Sequence, residues 1–266
     1  MKGLLKIGIK LFIFCFLTAI TQIGGVVFLL SLVISKKWQK ELRYKNAVIF
    51  IWLYVVATFL IVPYVAPLFG REKVNHSDKI RPTNYMTVLL NRNYVRPELN
   101  VLLAQAEKGL VNSNVQINYL DANFPFIDNF PLLPHLSHND GKKIDISLVY
   151  ETDQKIISNK QRSVSGYGVF ENPKDSEFDQ PNRCISKGDI QYDFPKYLTF
   201  GEINEHLVFS EKGTKELINS ILKSSAVGKL FIEPHLKNRM HLKDSRIRYH
   251  GCRAVRHDDH IHVQLK

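Results

Sequence analysis

The sequence predicts an α+β domain, a small antiparallel sheet with flanking helices, preceded by two transmembrane helices. Three observations predict it. Residues 11–35 and 47–70 carry no charged side chain. Each run reaches the roughly 20 apolar residues that a bilayer crossing needs. After residue 97, period-two apolar stretches alternate with stretches of helical periodicity, and this mixture marks an α+β domain.

The elements follow in chain order. Residues 1–70 read as a membrane anchor with helices over 11–35 and 47–70. The first run is too long for a cleaved signal peptide, and no small-x-small site precedes Lys36. Pro63 and Pro67 predict a kink or a membrane exit late in the second run. The connecting loop holds Lys36, Lys37, Lys40, Arg43 and Lys45 against Glu41, a bias that favours a cytoplasmic loop. Lys2, Lys6 and Lys10 compete with that assignment, so charge alone leaves the orientation open. Trp38, Tyr44, Trp52, Tyr54 and Tyr64 suit interfacial anchors and equally suit ordinary apolar positions. Residues 71–96 read as a polar linker.

Residues 97–266 are long enough for one core. Pro97 at a first-turn position opens a helix over 97–110. Strands are expected near 115–120 and 144–151. Ser210 caps a helix that runs to about residue 225, with Leu217, Ile218, Ile221 and Leu222 on its apolar face. A short strand over 229–233 and a helix opened by Pro234 come next. Residues 163–168 and 172–183 read as long loops. No internal repeat is present.

The last strand is the most informative. His260, His262 and Gln264 share one face of a strand over 260–265, while Ile261, Val263 and Leu265 share the other. With His257 the segment forms an H-x-x-H-x-H array. Imidazole is both a common zinc ligand and the usual proton shuttle near neutral pH. Taken alone, the array also fits a polar surface strand. A second cluster changes the balance. His135 and His138 lie in a Pro-flanked loop, Asn139-Asp140-Gly141 signals a turn, and Asp145 follows on a strand whose opposite face is apolar. His138, Asp145 and His262 can then converge on one metal. Three N/O ligands with an open position suit catalytic zinc, and no cysteine pair has zinc-finger spacing.

These residues carry a resemblance. Ser137-His138-Asn139-Asp140-Gly141-Lys142-Lys143-Ile144-Asp145 is similar to a Ser-His-x-x-Gly-x-x-x-Asp segment, and His257 to Val263 to an H-x-x-H-x-H-V ending. Both belong to the LAS group of zinc peptidases, and the chain most resembles its penicillin-insensitive murein endopeptidases. His135 and the stretch Lys229 to Arg239 match as well, so the resemblance spans residues 95–266. It implies Zn2+ held by His138, Asp145 and His262, with His135 as a further candidate ligand. It implies His260 as general base and His257 as the group that orients or stabilises the oxyanion. The substrate would be peptidoglycan peptides. The chain departs from the pattern in two places. No second set of metal-binding positions is found in 165–190, and the Glu-x-x-x-His ending of the carboxypeptidases is missing.

The sequence therefore predicts a zinc-dependent murein endopeptidase in the inner membrane, with its catalytic domain on the periplasmic or extracytoplasmic side. A D-Ala-D-Ala carboxypeptidase and a non-catalytic zinc-containing wall-binding module are the alternatives. The net charge of +11 comes partly from membrane-flanking Lys and Arg. The rest, including Arg239, Lys243, Arg246, Arg248, Arg253 and Arg256, precedes the histidine strand. Such a cluster suits an anionic wall polymer. No nucleic-acid motif is present, and no nucleic acid is expected as a partner. Cys15 lies in the first apolar run. Cys184 and Cys252 are the two soluble-domain cysteines, free or disulfide-bonded.

Overall fold

A computed structural model describes residues 2–38 and 43–266. Lys40 and Glu41 of the basic loop lie outside the described residues. The chain forms two compact units. One comprises Met1–Val74, Met86–Arg96 and Asn123–Gly141. The other comprises Asn75–Tyr85, Pro97–Ala122 and Lys142–Lys266. These boundaries cut across the division expected at residues 70 and 97.

In the first unit, two helices are long and apolar enough to cross a membrane, Gly3–Thr21 and Lys45–Phe69. The second coincides with the expected 47–70 run. The first corrects the expected 11–35 span, because the chain breaks after Thr21. Helix Lys2–Thr21 ends there, Gln22 turns left-handed at φ 65°, and a separate helix Gly24–Lys37 packs back. The cause is local. Thr21 Oγ1 accepts a hydrogen bond from Gly24 N at 2.8 Å, and Gly24-Gly25 permits a close return. A Cβ on Gly25 would lie 2.0 Å from Thr18 Oγ1 and 2.7 Å from the Phe14 carbonyl oxygen. The returning helix has 14 residues, about 21 Å at 1.5 Å per residue, short of a hydrocarbon core about 30 Å thick. In the long helix, a π-helical turn at Ala57–Ile61 precedes Pro63. It absorbs the proline's missing N–H and its clash with the preceding turn.

The segment expected as a polar linker is structured. Glu72–Lys73 pairs with Tyr94–Val95 in the first unit, and Ile80–Pro82 supplies an edge strand to the second unit's main sheet. That sheet has six strands in the order Ile247–Arg248, Val227–Phe231, His260–Leu265, Lys143–Ser147, Ile117–Tyr119, Ile80–Pro82. It is mixed where a purely antiparallel sheet was expected. The inner pairings are antiparallel and the two outermost pairs are parallel. His260–Leu265 runs between two antiparallel neighbours, with Ile261 and Val263 fully buried.

Helix Pro97–Gly109 packs on helix Glu211–Leu222, joining Leu99, Leu102, Leu103 and Ala106 to the core with Leu217, Ile218 and Ile221. Ser210 caps the latter helix by accepting from Gly213 N at 3.2 Å, as the sequence indicates. The strand expected over 144–151 is split. After Ser147 the chain leaves the main sheet, and Tyr150–Glu151 joins a three-stranded antiparallel sheet with Ile157–Ser158 and Val208–Phe209.

Two ties, one covalent and one ionic, fix the long loops to segments that precede the histidine strand. Cys184, on helix Gln180–Ile185, forms a disulfide with Cys252. Arg239 binds Glu171 at 2.8 Å and Glu177 at 2.6 Å. The Arg239 guanidinium holds the Glu177 carboxyl down at about 2.

Replacing Cys184 and Cys252 by serine should destabilise the detergent-solubilised chain by about 2–4 kcal/mol in thermal or denaturant unfolding; an unchanged midpoint contradicts the tie. Because the folded pKa of Glu177 lies below its unfolded value, its stabilisation is present above pH ~4.5 and is lost as pH falls towards 2. The stability gap between wild type and Glu177→Gln, on the order of 2 kcal/mol near neutrality, should therefore close across that window. A gap that stays constant from pH 6 to pH 2 contradicts the ion pair.

Candidate metal centre

The site grows from one strand register. His262 stands directly opposite Asp145 across the antiparallel pair of His260–Leu265 and Lys143–Ser147. Directly opposed residues share a face. His262 Nδ1 lies 2.9 Å from Asp145 Oδ1. The period of two puts His260 on the same face, with Nε2 3.7 Å from Asp145 Oδ2. His138 comes from the loop that the Asn139-Asp140-Gly141 turn returns to the strand. His138, Asp145 and His262 are all buried, and each offers a ligand atom within 4.8 Å of the others.

This donor set could hold a metal ion. A tetrahedral site with bonds of about 2.0–2.2 Å places its ligand atoms roughly 3.3–3.6 Å apart. Three buried N/O donors already gathered within 4.8 Å reach that spacing by small side-chain adjustments. His135 is also buried, its ring 5.7 Å from that of His138.

The histidine face is covered. His257, His260 and His262 are each at most 3% exposed, whereas an exposed polar face is what the strand pattern alone suggests. Three groups supply the cover. Tyr167 donates its hydroxyl proton to Asp145 Oδ2 at 2.9 Å and accepts from Asp121 N at 3.1 Å. Its ring meets that of His260 edge-on at 5.1 Å. Asp259 pairs with His260 Nδ1 and also accepts from Gly168 N at 2.6 Å. Phe231, opposite His262 on the other neighbouring strand, has its ring 5.5 Å away and stacks on His250 at 4.2 Å.

His257 is set by its backbone. Its N–H donates to Glu233 Oε1 at 3.1 Å, its carbonyl accepts from Glu233 N, and Tyr192 donates to the other Glu233 oxygen at 2.7 Å. Its ring lies 4.8 Å from that of His260. The flanking Arg256 and Asp258 form a buried ion pair, and Arg256 also stacks on Phe170 at 3.9 Å. Removing one member of such a pair costs about 3–5 kcal/mol, because its partner is left charged and buried.

The electrostatics divide the histidines. Burial, reinforced by the neighbouring imidazoles, pushes His257 well below its ordinary pKa and keeps it neutral. Burial also disfavours the protonated form of His260, but the carboxylates of Asp259 and Asp145 outweigh it and push its pKa up to about 9. A cation sharing Asp145 would cancel much of that attraction and return His260 towards neutrality.

Sequence reasoning singled out His138, Asp145, His257, His260 and His262, and the fold gathers them. It missed Tyr167, Glu233, His250 and Asp259. Asp259 sat in view inside the Asp-Asp pair before His260. Tyr167 lies in a Ser/Gly-rich loop with no periodicity to mark it.

His262→Ala and Asp145→Ala should each weaken zinc binding by more than 100-fold in competition with a chromophoric chelator. Tyr167→Phe, which removes only a hydrogen bond to a ligand, should cost about tenfold. His260→Ala should leave affinity within a few-fold of wild type. Equal affinity in wild type and His262→Ala rules the site out as a metal centre.

No protein-family model matches the chain, and no curated relative matches it. The gathering of these side chains is therefore what any functional reading rests on.

Proposed function

We propose that the chain is a membrane-anchored zinc metallopeptidase, a murein endopeptidase that hydrolyses peptide cross-links of peptidoglycan. The observation that carries the reading is the buried His138/Asp145/His262 donor set with His260 held beside it. A zinc ion bound there would acidify a water molecule and polarise the scissile carbonyl.

The chain's own residues then divide the work. His260 accepts a proton at Nε2 and later returns it to the leaving amine. Asp259 holds Nδ1, which fixes the ring's tautomer and orientation. His257 is neutral and donates a hydrogen bond towards negative charge building on the substrate oxygen. Tyr167, its hydroxyl held by the Asp121 N–H, keeps the Asp145 carboxylate in place. The cover excludes bulk water from this face, so these interactions act in a low-dielectric setting.

The remaining features support placement outside the cytoplasm. Two helices have the length and apolarity to cross a bilayer, and the Cys184–Cys252 disulfide suits an oxidising compartment. The catalytic part would then face the wall from the inner membrane. The exposed basic residues Lys243, Arg248 and Arg253 would draw the anionic polymer to it.

The test is mass spectrometry of muropeptides after incubating the full-length, detergent-solubilised protein with sacculi. Loss of cross-linked dimers is expected with zinc, none after chelation, and recovery on zinc addition. His260→Ala should lower turnover by at least 100-fold while zinc stays bound. Release of free D-alanine from a monomeric pentapeptide, with dimers untouched, would identify a carboxypeptidase. Zinc binding and wall binding without cleavage of either substrate would identify a non-catalytic module.

A further inference from the structure

The proposed chemistry draws on the first unit only through His138, and the apolar helices enter it only as an anchor. Yet within that unit, the segment carrying His138 is tied to the apolar helices at several points. Gln22, at the left-handed turn between the first two helices, accepts a hydrogen bond on Oε1 from Phe126 N at 2.9 Å. The Phe126 ring packs 5.0 Å from that of Phe69, at the end of the long apolar helix. It also joins a cluster with Ile23, Val27, Val62, Ala66 and Tyr94.

Arg71 follows that helix after the capping Gly70 and is 1% exposed. Its backbone N–H bonds to the Ala66 carbonyl at 3.2 Å, so its position is set by the last turns of the helix. Its guanidinium spans the two ends of the His138 segment. It donates to the Phe124 carbonyl and to Asp128 on one side, and to the Asn139 carbonyl at 3.4 Å on the other. Arg96 adds bonds to Asp128 and to the Asp140 carbonyl, both at 3.0 Å, and its N–H reaches the Gly141 carbonyl at 2.7 Å. Gly141 has φ +80° and lies where a Cβ would come within 3.0 Å of both Arg71 and Arg96. The glycine of the turn is thus needed for the arginines' close approach as well as for its backbone conformation. Asn139, whose carbonyl also accepts from Asn129 N at 2.7 Å, is the residue next to His138.

We propose that the apolar helices are not a detachable anchor but the base on which the His138 segment is built, with Gln22, Arg71 and Arg96 as positioning residues for that metal ligand. The inference rests on reading His138 as a ligand, and it adds the source of the ligand's order. A loop that must be ordered on binding charges its conformational entropy against affinity. A guanidinium already bonded to both ends removes that charge in advance. A chain cut at residue 97 would keep Asp145 and His262, and keep His138 in sequence. It would lose Gln22, Arg71 and Arg96, and with them the ordered loop.

The test uses full-length protein in detergent and two readouts, zinc affinity by chelator competition and amide hydrogen exchange of residues 124–141. Arg71→Ala should weaken zinc binding by about 10–100-fold and accelerate exchange in 124–141 by at least tenfold. Arg71→Lys, which keeps the charge but not the fork of donors, should recover only part of either. Gln22→Ala, a milder change remote from the ligands in sequence, should weaken binding three- to tenfold and accelerate exchange in the same segment. If wild type binds zinc and both Arg71→Ala and Gln22→Ala leave affinity and exchange unchanged, the positioning role is overturned. If wild type binds no zinc, the metal reading fails on its own, and exchange alone then decides. Faster exchange in the variants keeps the helices as the base of the segment, and unchanged exchange removes them from it.

Discussion

The pairing of His262 with Asp145 across one antiparallel register is the constraint on which the rest depends. A slip of one residue between His260–Leu265 and Lys143–Ser147 would turn Asp145 away from His262 and move His260 to the opposite face. The register is well protected against that slip. The strand lies between two antiparallel neighbours, and its alternate residues Ile261 and Val263 are fully buried. The apolar face thus specifies the polar one. Burying two imidazoles and a carboxylate together is costly unless each has a partner. Tyr167 partners Asp145, Asp259 partners His260, and His262 pairs with Asp145 itself; a metal ion would complete the set. A packed β-core therefore holds in place a group of side chains that would not gather unaided.

Around that pair, local order arrives by different means. The backbone of His257 is clamped by Glu233, itself fixed by Tyr192. The long loops that cover the histidine face carry little regular structure. They are fixed by the Cys184–Cys252 disulfide, by Arg239 with two glutamates and by Arg256 with Asp258. Ionic and covalent ties of this kind substitute for the hydrophobic contacts that Ser-, Gly- and Asn-rich segments cannot make.

The site was legible in the sequence to the extent that periodicity and turn chemistry reach. The alternation of Ile261, Val263 and Leu265 with His260, His262 and Gln264 marks the last strand to its ends. The Asn-Asp-Gly turn marks where the chain reverses before Asp145. Ser210 and Pro234 mark helix starts for reasons that act within one turn. What escaped depends on contacts distant in sequence. Tyr167 reaches Asp145 from a loop, and Ile80–Pro82 is too short for its alternation to show against a polar surrounding. The break at Gln22 was within reach, since Gly24-Gly25 is a punctuating dipeptide. A long run without a charged residue masked it, because hydropathy reports burial in lipid or core and says nothing about where a helix turns back. Arg71 shows the same limit from the other side. An arginine opening the charged run Arg71-Glu72-Lys73 after an apolar helix reads as a solvated flank, and only the fold shows it buried and bonded to a loop more than fifty residues on.

X-ray absorption at the zinc edge of the full-length chain tests the central claim most directly. The account predicts one zinc per chain with only nitrogen and oxygen neighbours at about 2.0–2.2 Å, including the scattering pattern of two imidazoles. That spectrum should be lost when Asp145 and His262 are replaced together. Zinc absent from the wild-type chain, or a spectrum unchanged in the double variant, would contradict it.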